Sequence, residues 1–243
     1  MRWIAPAGYA HLAVFGILIP ILAIRSMKLI ESRPFAPRRR YFKAVLVQLI
    51  AFAAFSIAVA RLNWIEIFPR RMPPLSAIAA GGLFLACAIP FGWTRWRKAV
   101  QERKRIVALF MPTDHFERML WILSAALAGF GEEITWRGVQ TALLTRLTGN
   151  LLVAIAIAVV MFALAHATQG WKSVGVIAVF TVGFHLLVWL SGSLYVAMVV
   201  HFVYDLVAGF SYAHFGRKYN YVIPSAVDRE GPGRGLPPAT DPV

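Results

Sequence analysis

Two adjacent carboxylates and an arginine stand inside one of the most apolar stretches of the chain, AGFGEEITWRGVQ. In a helix Glu133 and Arg137 share a face, with the acid on the N-terminal side, which is the favourable order for an ion pair. Glu132 points about 100° away from Glu133 around the helix and has no comparable local partner. A lone charge at the centre of a membrane span costs roughly 2.5–3.5 kcal/mol. Either these side chains reach water at a helix end, or Glu132 faces an internal polar cavity, where a carboxylate is suited to general acid or base chemistry.

Two histidine motifs lie further along the chain. His166 follows Phe162 by four positions in MFALAHATQG, and His201 precedes Asp205 by four positions in MVVHFVYDLV. An acid at that spacing can orient a histidine ring, as carboxylates do for catalytic and metal-ligating histidines. Both histidines could instead be hydrogen-bonded between helices. His185 has no charged neighbour on its own helix, and we assign it that structural role.

Membrane helices are needed to position these motifs. The 243 residues are 59% hydrophobic and 15% charged, with a mean hydropathy of +0.64, which is typical of a membrane protein. The sequence predicts an all-α fold, a polytopic transmembrane helical bundle of about seven spans across roughly 30 Å of hydrocarbon. The predicted spans are residues 9–24, 44–60, 75–92, 119–140, 151–168, 174–190 and 194–213.

The predicted domain organisation is simple. Residues 1–215 form one transmembrane domain, whose motif-bearing core is residues 114–213. Residues 216–243 form a cytoplasmic tail, rich in Gly and Pro towards its end, that we expect to be disordered. The first apolar run follows only Arg2 and lacks a clear signal-peptidase site, so we expect it to be retained. Cys87 is the single cysteine, which excludes an internal disulfide.

Membrane topology, rather than nucleic-acid binding, explains the net charge of +14. With the N-terminus outside, 19 of the 25 Lys and Arg residues fall on the inner side and five on the outer side. The positive-inside rule then predicts a cytoplasmic C-terminus in a bacterial inner (plasma) membrane. We expect no nucleic-acid partner, and we expect the basic segments RPFAPRRRYFK and RWRKAVQERKR to face anionic lipid headgroups.

Together the three motifs resemble the signature of the CPBP family (CAAX protease and bacteriocin-processing, or Abi) of intramembrane endopeptidases. That signature is EExxxR, then FxxxH, then HxxxN or HxxxD on successive transmembrane helices. Here EEITWR begins at Glu132, FALAH at Phe162 and HFVYD at His201. The resemblance covers roughly the last half of the chain. It implies a helical membrane bundle that hydrolyses a peptide bond of a membrane-associated protein or peptide, in which Glu133, Arg137 and Phe162 have positioning roles.

The resemblance also implies the catalytic roles. Glu132 activates the attacking water, His166 holds that water with it, and His201 and Asp205 support the oxyanion. The prenyl-protein proteases of the family carry Asn where this chain has Asp205. Because a carboxylate donates a hydrogen only when it is protonated, we assign Asp205 to orienting His201, with His201 as the donor.

Several alternatives stay open at this point. Glu132, His166 and His201 would also suit a catalytic zinc ion with an open water position. The chain could be a non-proteolytic immunity or accessory protein on the same scaffold. It could also be a proton-coupled transporter, since intramembrane Glu, His and Asp can form a relay. Eukaryotic-type members of the family have eight spans, so an eighth, short segment is compatible with the resemblance.

The spacing of two motifs raises one difficulty. If the span of Glu132 begins at residue 119 and that of His166 at residue 151, the two antiparallel helices place these side chains at depths that differ by about 12 Å. A shift of the helix ends or a tilted helix would bring them level.

Overall fold

A computed structural model describes residues 3–32, 38–70 and 72–222. These residues form helices, turns and loops without a strand, which confirms the all-α class. Two π-helical segments, Val14–Leu18 and Glu133–Gln140, join α1 to α2 and α6 to α7, and a 3-10 turn, Ala167–Gln169, follows α8. The α-helices are α1 (Pro6–Ala13), α2 (Ile19–Ser32), α3 (Arg38–Leu62), α4 (Leu75–Gln101), α5 (Val107–Phe110), α6 (His115–Glu132), α7 (Thr141–Thr148), α8 (Leu151–Ala165), α9 (Trp171–Ser191) and α10 (Tyr195–Lys218).

All seven predicted apolar runs fall mainly on helical sequence. The run at 151–168 contains the shorter helix α8, and the run at 119–140 is divided between α6 and the π-helical segment that follows it. Five helices among the described residues are long and apolar enough to cross a membrane, and a helical membrane bundle is therefore confirmed. They are Pro6–Ile30, Arg38–Leu62, Leu75–Gln101, Trp171–Ser191 and Tyr195–Lys218.

α6 and α10 form the centre of the bundle. α10 packs along α4 and α6, and α6 also packs on α3. α6 and α10 approach closely at Gly129, where a Cβ atom would lie 2.7 Å from the backbone nitrogen of Phe202. Further along the same interface Trp121 donates a hydrogen bond from Nε1 to the carbonyl of Asp205, at 3.1 Å. This tight contact sets the position of His201 relative to the end of α6.

A sharp reversal between α7 and α8 brings the second motif alongside the first. Gly149 has a φ of +71°, the left-handed conformation that glycine adopts readily at a helix end. Asn150 then caps α8 by accepting hydrogen bonds from the backbone nitrogens of Leu152 and Val153. Glu132 lies 17 positions before Gly149, and His166 lies 16 positions after Asn150. The two side chains are therefore level, because the helix continues eight residues past 140 before it turns.

The other end of α6 begins at a side-chain cap. Asp114 is the N-cap and accepts a hydrogen bond from the backbone nitrogen of Glu117. α10 continues to Lys218, three residues beyond the predicted domain boundary at 215. The predicted disordered tail lies outside the described residues from 223 onwards.

Candidate active site

The three sequence motifs converge on one carboxylate oxygen. Nε2 of His166 lies 3.9 Å from Oε2 of Glu132, and Nε2 of His201 lies 4.0 Å from the same oxygen. Oδ2 of Asp205 lies 3.5 Å from that nitrogen of His201. The separations from Glu132 exceed a direct hydrogen bond but suit a bridging water. Glu132 at the end of α6 thus lies within water-bridging distance of His166, just after α8, and of His201 on α10.

The other nitrogen of His201 is held by Glu133. Nδ1 of His201 lies 2.8 Å from Oε1 of Glu133, and an ionised carboxylate can only accept, so Nδ1 carries the hydrogen. Nε2 is thereby directed towards Glu132 and Asp205, and it can donate only when the ring is an imidazolium. The sequence suggested that Asp205 orients His201; in the structure the strong contact comes from Glu133, and Asp205 faces the opposite edge of the ring.

Arg137 is enclosed by one carboxylate and two aromatic rings. Its NH1 atom lies 3.0 Å from Oε1 of Glu133, and both side chains are fully buried. The guanidinium nitrogens make no well-aligned hydrogen bond, so this contact is an ion pair rather than a hydrogen bond. Cζ of Arg137 lies 4.2 Å from the ring centroid of Phe162 and 5.1 Å from that of Phe184. Cation–π attraction and the ion pair replace hydration around this buried charge.

Phe162 contacts both His166 and Arg137. Its carbonyl lies 2.8 Å from Nδ1 of His166, and a carbonyl can only accept, so His166 carries its hydrogen on Nδ1. A neutral His166 therefore presents a lone pair on Nε2 towards Glu132. The Phe162 ring lies 4.5 Å from the His166 ring and also flanks Arg137. The FxxxH spacing thus links the His166 ring to the buried ion pair.

Glu133 and Arg137 lie on a π-helical segment, where the sequence predicted an ordinary α-helix. Glu133–Gln140 has π geometry, which is rare and occurs often at functional sites. At its end the hydroxyl of Thr141 donates to the carbonyl of Trp136, five residues earlier, at 2.8 Å. Side-chain hydrogen bonding of this kind compensates for the poorer backbone geometry of a π turn.

A pocket opens beside the acid and one imidazole. It has a volume of about 140 Å³ and is bounded by α2, α3 and the π-helical segment, with Glu132, His166 and Gln48 among its lining residues. This volume can hold several water molecules. A larger hollow of about 460 Å³ at the end of α4, between Trp93 and Glu102, contains none of the motif residues.

The side chains as they lie do not fit a zinc site. Two ligands of a tetrahedral zinc ion, each at about 2.1 Å from the metal, are roughly 3.4 Å apart. The two imidazole nitrogens lie 3.9 and 4.0 Å from the oxygen of Glu132. Within residues 3–32, 38–70 and 72–222, no group of three or more His, Cys, Asp or Glu side chains is placed to hold a metal ion.

Several residues near the site carried no recognisable motif. His185 is buried, its Nε2 atom has no hydrogen-bond partner, and it lies within electrostatic range of Glu133 and Arg137. From the sequence we assigned His185 a structural role, because the sequence does not show that it lies near Glu133 and Arg137. His11 and Ser56 were not identified from the sequence, and the only available signal was that each is a polar residue inside an apolar run.

The comparisons with known proteins agree with the motifs. Residues 115–207 match the family model of the Rce1-like type II CAAX prenyl endopeptidases. No curated protein and no solved structure matches the chain. The matched segment begins with the first residue of α6 and includes every predicted site residue, and it supports an intramembrane endopeptidase of the CAAX type in general. The segment that carries the site, residues 115–207, is thus similar to the CAAX protease family that the EExxxR, FxxxH and HxxxD motifs indicated.

Proposed function

We propose that this protein cleaves a membrane-associated protein or peptide within the bilayer, using a water activated by Glu132. The observation that carries the proposal is the position of one Glu132 oxygen, about 4 Å from imidazole nitrogens on two other helices. An acid within water-bridging distance of two imidazoles can meet the needs of peptide hydrolysis, namely a base, a positioned water and a donor for the oxyanion.

The attacking water lies between Glu132 and His166. The lone pair on Nε2 of His166 accepts one hydrogen of this water, because Nδ1 is already committed to the carbonyl of Phe162. Glu132 accepts the other hydrogen as a proton when the water oxygen attacks the carbonyl carbon of the substrate. The electron pair of the C=O double bond moves onto the oxygen, which becomes an oxyanion.

His201 supplies the donor for that oxyanion. With Nδ1 bonded to Glu133, the imidazolium form offers its second hydrogen from Nε2. An ionised Asp205, 3.5 Å from Nε2, stabilises this cation, whereas a protonated Asp205 would add a second donor. When the tetrahedral intermediate collapses, the C–N bond breaks and the leaving amine takes the proton from Glu132. The carboxylate is thereby restored.

The name of the matched family makes a prenylated CAAX peptide the first substrate to test. Its lipid chain would lie among the apolar helix faces, and the bundle would rest in a bilayer whose anionic headgroups contact the basic segments. No nucleic-acid partner is part of this proposal.

The decisive experiment measures cleavage by the full chain in proteoliposomes. The probe is a farnesylated CAAX peptide with a fluorophore and a quencher on either side of the scissile bond. We expect cleavage by the wild type and a loss of about 10²- to 10⁴-fold in Glu132→Gln, the range typical of general-base removal. Glu66→Gln, which removes an exposed carboxylate in the loop between α3 and α4, is the matched control. Wild-type cleavage by Glu132→Gln would contradict the mechanism.

A second measurement tests for cleavage when the natural substrate is not a farnesylated CAAX peptide. Membranes from cells that express the wild type are compared with membranes that contain Glu132→Gln, by mass spectrometry of protein termini. We expect at least one protein whose terminus shifts only with the wild type. Identical termini together with solute uptake by proteoliposomes would favour the proton-coupled transporter instead.

A further inference from the structure

A buried polar network links the first helix to the segment that carries the site. Nδ1 of His11 lies 2.9 Å from Oε1 of Gln140, and Nε2 of His11 lies 3.0 Å from Oγ of Ser56. Oγ of Ser56 lies 2.9 Å from Oγ1 of Thr135, and Thr135 donates to the carbonyl of Gly131 at 2.8 Å. The four polar side chains are at most 2% exposed. Such a network is stabilising only if every member is satisfied.

The hydrogens of this network can be assigned completely. Its four contacts need four hydrogens, and a neutral His11, Ser56 and Thr135 supply three. The amide of Gln140 supplies the fourth when its Nε2 and Oε1 positions are exchanged, which gives up only the weak contact of Nε2 with Sδ of Met161 at 3.5 Å. The hydrogen bonds then run in one direction from Gln140 through His11, Ser56 and Thr135 to the Gly131 carbonyl. In this arrangement the core of the bundle holds a neutral, satisfied network.

Both ends of the network lie on the element that carries the site. Gly131 directly precedes Glu132, and Thr135 and Gln140 belong to the π-helical segment that begins at Glu133. A π turn contains one residue more than an α turn, so reversion to α-helix would rotate the residues before it by about 100° relative to those after it. Contacts at Thr135 and at Gln140 hold the segment at two points and oppose this rotation.

We propose that His11 is a positioning residue for the hydrolytic site. It holds the π-helical segment in the register that keeps Glu132 opposite His166 and His201. It touches none of the reacting atoms and acts only through the network. The proposal rests on the proposed endopeptidase function, and it concerns a residue that lies outside the matched segment 115–207.

The first test separates turnover from substrate binding. With the same quenched farnesylated peptide and full chain in proteoliposomes, we expect His11→Ala to lower kcat by about ten- to a hundredfold, as for a small misplacement of catalytic groups. KM should stay within about twofold, since the lost contact acts on the reacting groups rather than on binding. His11→Gln keeps a donor for Ser56 and should restore part of kcat. In the double variant with Ser56→Ala, the two losses should not add.

Asn63 offers a matched control. Its Oδ1 atom accepts a hydrogen bond from the backbone nitrogen of Ala5 at 2.8 Å, and it is 1% exposed. Asn63→Ala therefore removes a buried hydrogen bond between the start of the first helix and α3 without reaching the π-helical segment. We expect it to lower thermal stability about as much as His11→Ala while kcat is unchanged. A wild-type kcat in His11→Ala, or an equal loss of kcat in Asn63→Ala, would overturn the positioning role.

Hydrogen exchange tests the inference even if the wild type does not cleave the peptide. We expect faster amide exchange over residues 131–141 in His11→Ala, and wild-type exchange there in Asn63→Ala and Glu132→Gln. Absence of cleavage with this exchange pattern would count against the proposed function alone. Equal exchange over residues 131–141 in His11→Ala and the wild type would count against the role of His11.

Discussion

Glu133 and Arg137 are fully buried charges, and each is balanced by groups from other helices. His201 on α10 contacts Glu133, while Phe162 on α8 and Phe184 on α9 flank Arg137. Removing one partner of a buried pair typically costs about 3–5 kcal/mol, because the remaining charge is left uncompensated. The pair therefore holds α8, α9 and α10 around the π-helical segment. It lies next to Glu132, the carboxylate that we assign to catalysis.

A second buried acid, outside the apolar spans, joins α6 to α3. Arg38 donates from Nε to Oε1 of Glu117 at 2.9 Å and also binds the carbonyls of Ala108 and Met111. Thr113 donates to Oε2 of Glu117 from its backbone nitrogen and its hydroxyl, at 2.8 and 2.7 Å. Burial raises the pKa of Glu117, but the hydrogen bonds from Arg38 and Thr113 outweigh it and lower that pKa below its usual value.

This lowered pKa predicts a loss of stability in acid. The contribution of Glu117 is fully present above its unfolded pKa of about 4.3 and is lost as the pH falls through the lower folded pKa. We expect Glu117→Gln to lower the free energy of unfolding near neutral pH by about 1.5–3 kcal/mol, the value of hydrogen bonds to a charged group. The variant should also lose stability less steeply below pH 4.3. Thermal unfolding in detergent from pH 3 to 7 measures both effects.

Glu102 provides the control for that series. It is paired with Lys104 at 2.9 Å, but its side chain is 41% exposed. Surface pairs contribute about 0–1 kcal/mol, so Glu102→Gln should change the unfolding temperature little. If Glu102→Gln and Glu117→Gln destabilise the chain equally, the buried cluster around Arg38 has no special role.

At the scale of elements, the site depends on how closely α6 and α10 approach. Gly129 lies one helical turn before Glu133, and the backbone of Phe202, next to His201, fills the space that a side chain would occupy. Backbone atoms cannot rotate away as a flexible side chain can. The distance between Glu133 and His201 is thus set by a residue that makes no polar contact with either.

Gly129→Ala should therefore separate the two helices. Its Cβ atom would lie 2.7 Å from the nitrogen and 2.9 Å from Cα of Phe202. We expect the variant to be destabilised by about 1–3 kcal/mol through overpacking and to lose cleavage of the quenched peptide, because His201 moves relative to Glu132. Thermal unfolding and kcat in proteoliposomes measure the two effects.

Gly82 is the matched control for this substitution. It lies in α4, and a Cβ atom there would meet nothing within 4 Å. Alanine is favoured over glycine inside a helix by about 0.5–1 kcal/mol, so Gly82→Ala should be neutral or stabilising and should keep wild-type cleavage. Full activity in Gly129→Ala would show that the close approach of α6 and α10 is unimportant.

At the scale of the whole molecule, hydrogen bonds gather the basic helix ends on one side of the bundle. Arg38 at the start of α3 contacts the carbonyls of Ala108 in α5 and of Met111 just after it, both beyond the loop that follows α4. The hydroxyl of Tyr221, just after α10, donates to the carbonyl of Lys104 in the same loop at 2.9 Å. At the opposite end of the bundle, the backbone nitrogen of Ala5 donates a hydrogen bond to Asn63. The loop after α4 and the end of α10 are both on the side that the charge asymmetry assigns to the cytoplasm.

The positive-inside rule then predicts the orientation of the bundle. Green fluorescent protein fused after residue 243 should fluoresce in bacterial cells, because it folds in the cytoplasm. Alkaline phosphatase inserted into the loop between α3 and α4 should be active, because that enzyme needs the oxidising periplasm. A dark C-terminal fusion with an inactive phosphatase insertion would mean the reverse orientation.

The sequence by itself determined the features that depend on spacing within one helix. The apolar runs predict the helices, because about 20 apolar residues are needed to cross hydrocarbon. The four-residue spacings pair Glu133 with Arg137 and place Phe162 beside His166, because residues four apart are neighbours on a helix face. The single carboxylate left without a local partner, Glu132, is the one that the structure places between two imidazoles.

Only the tertiary structure decided which residues from different helices meet. Helical spacing cannot predict that Glu133, rather than Asp205, holds Nδ1 of His201, or that His11 reaches Gln140 across 129 positions of chain. Nor did it predict that a π-helical segment, Glu133–Gln140, follows Glu132, or that α7 continues the helix to Thr148 and brings His166 level. Such contacts depend on helix register and on backbone approach at single glycines, and a pattern of apolar and polar residues contains neither.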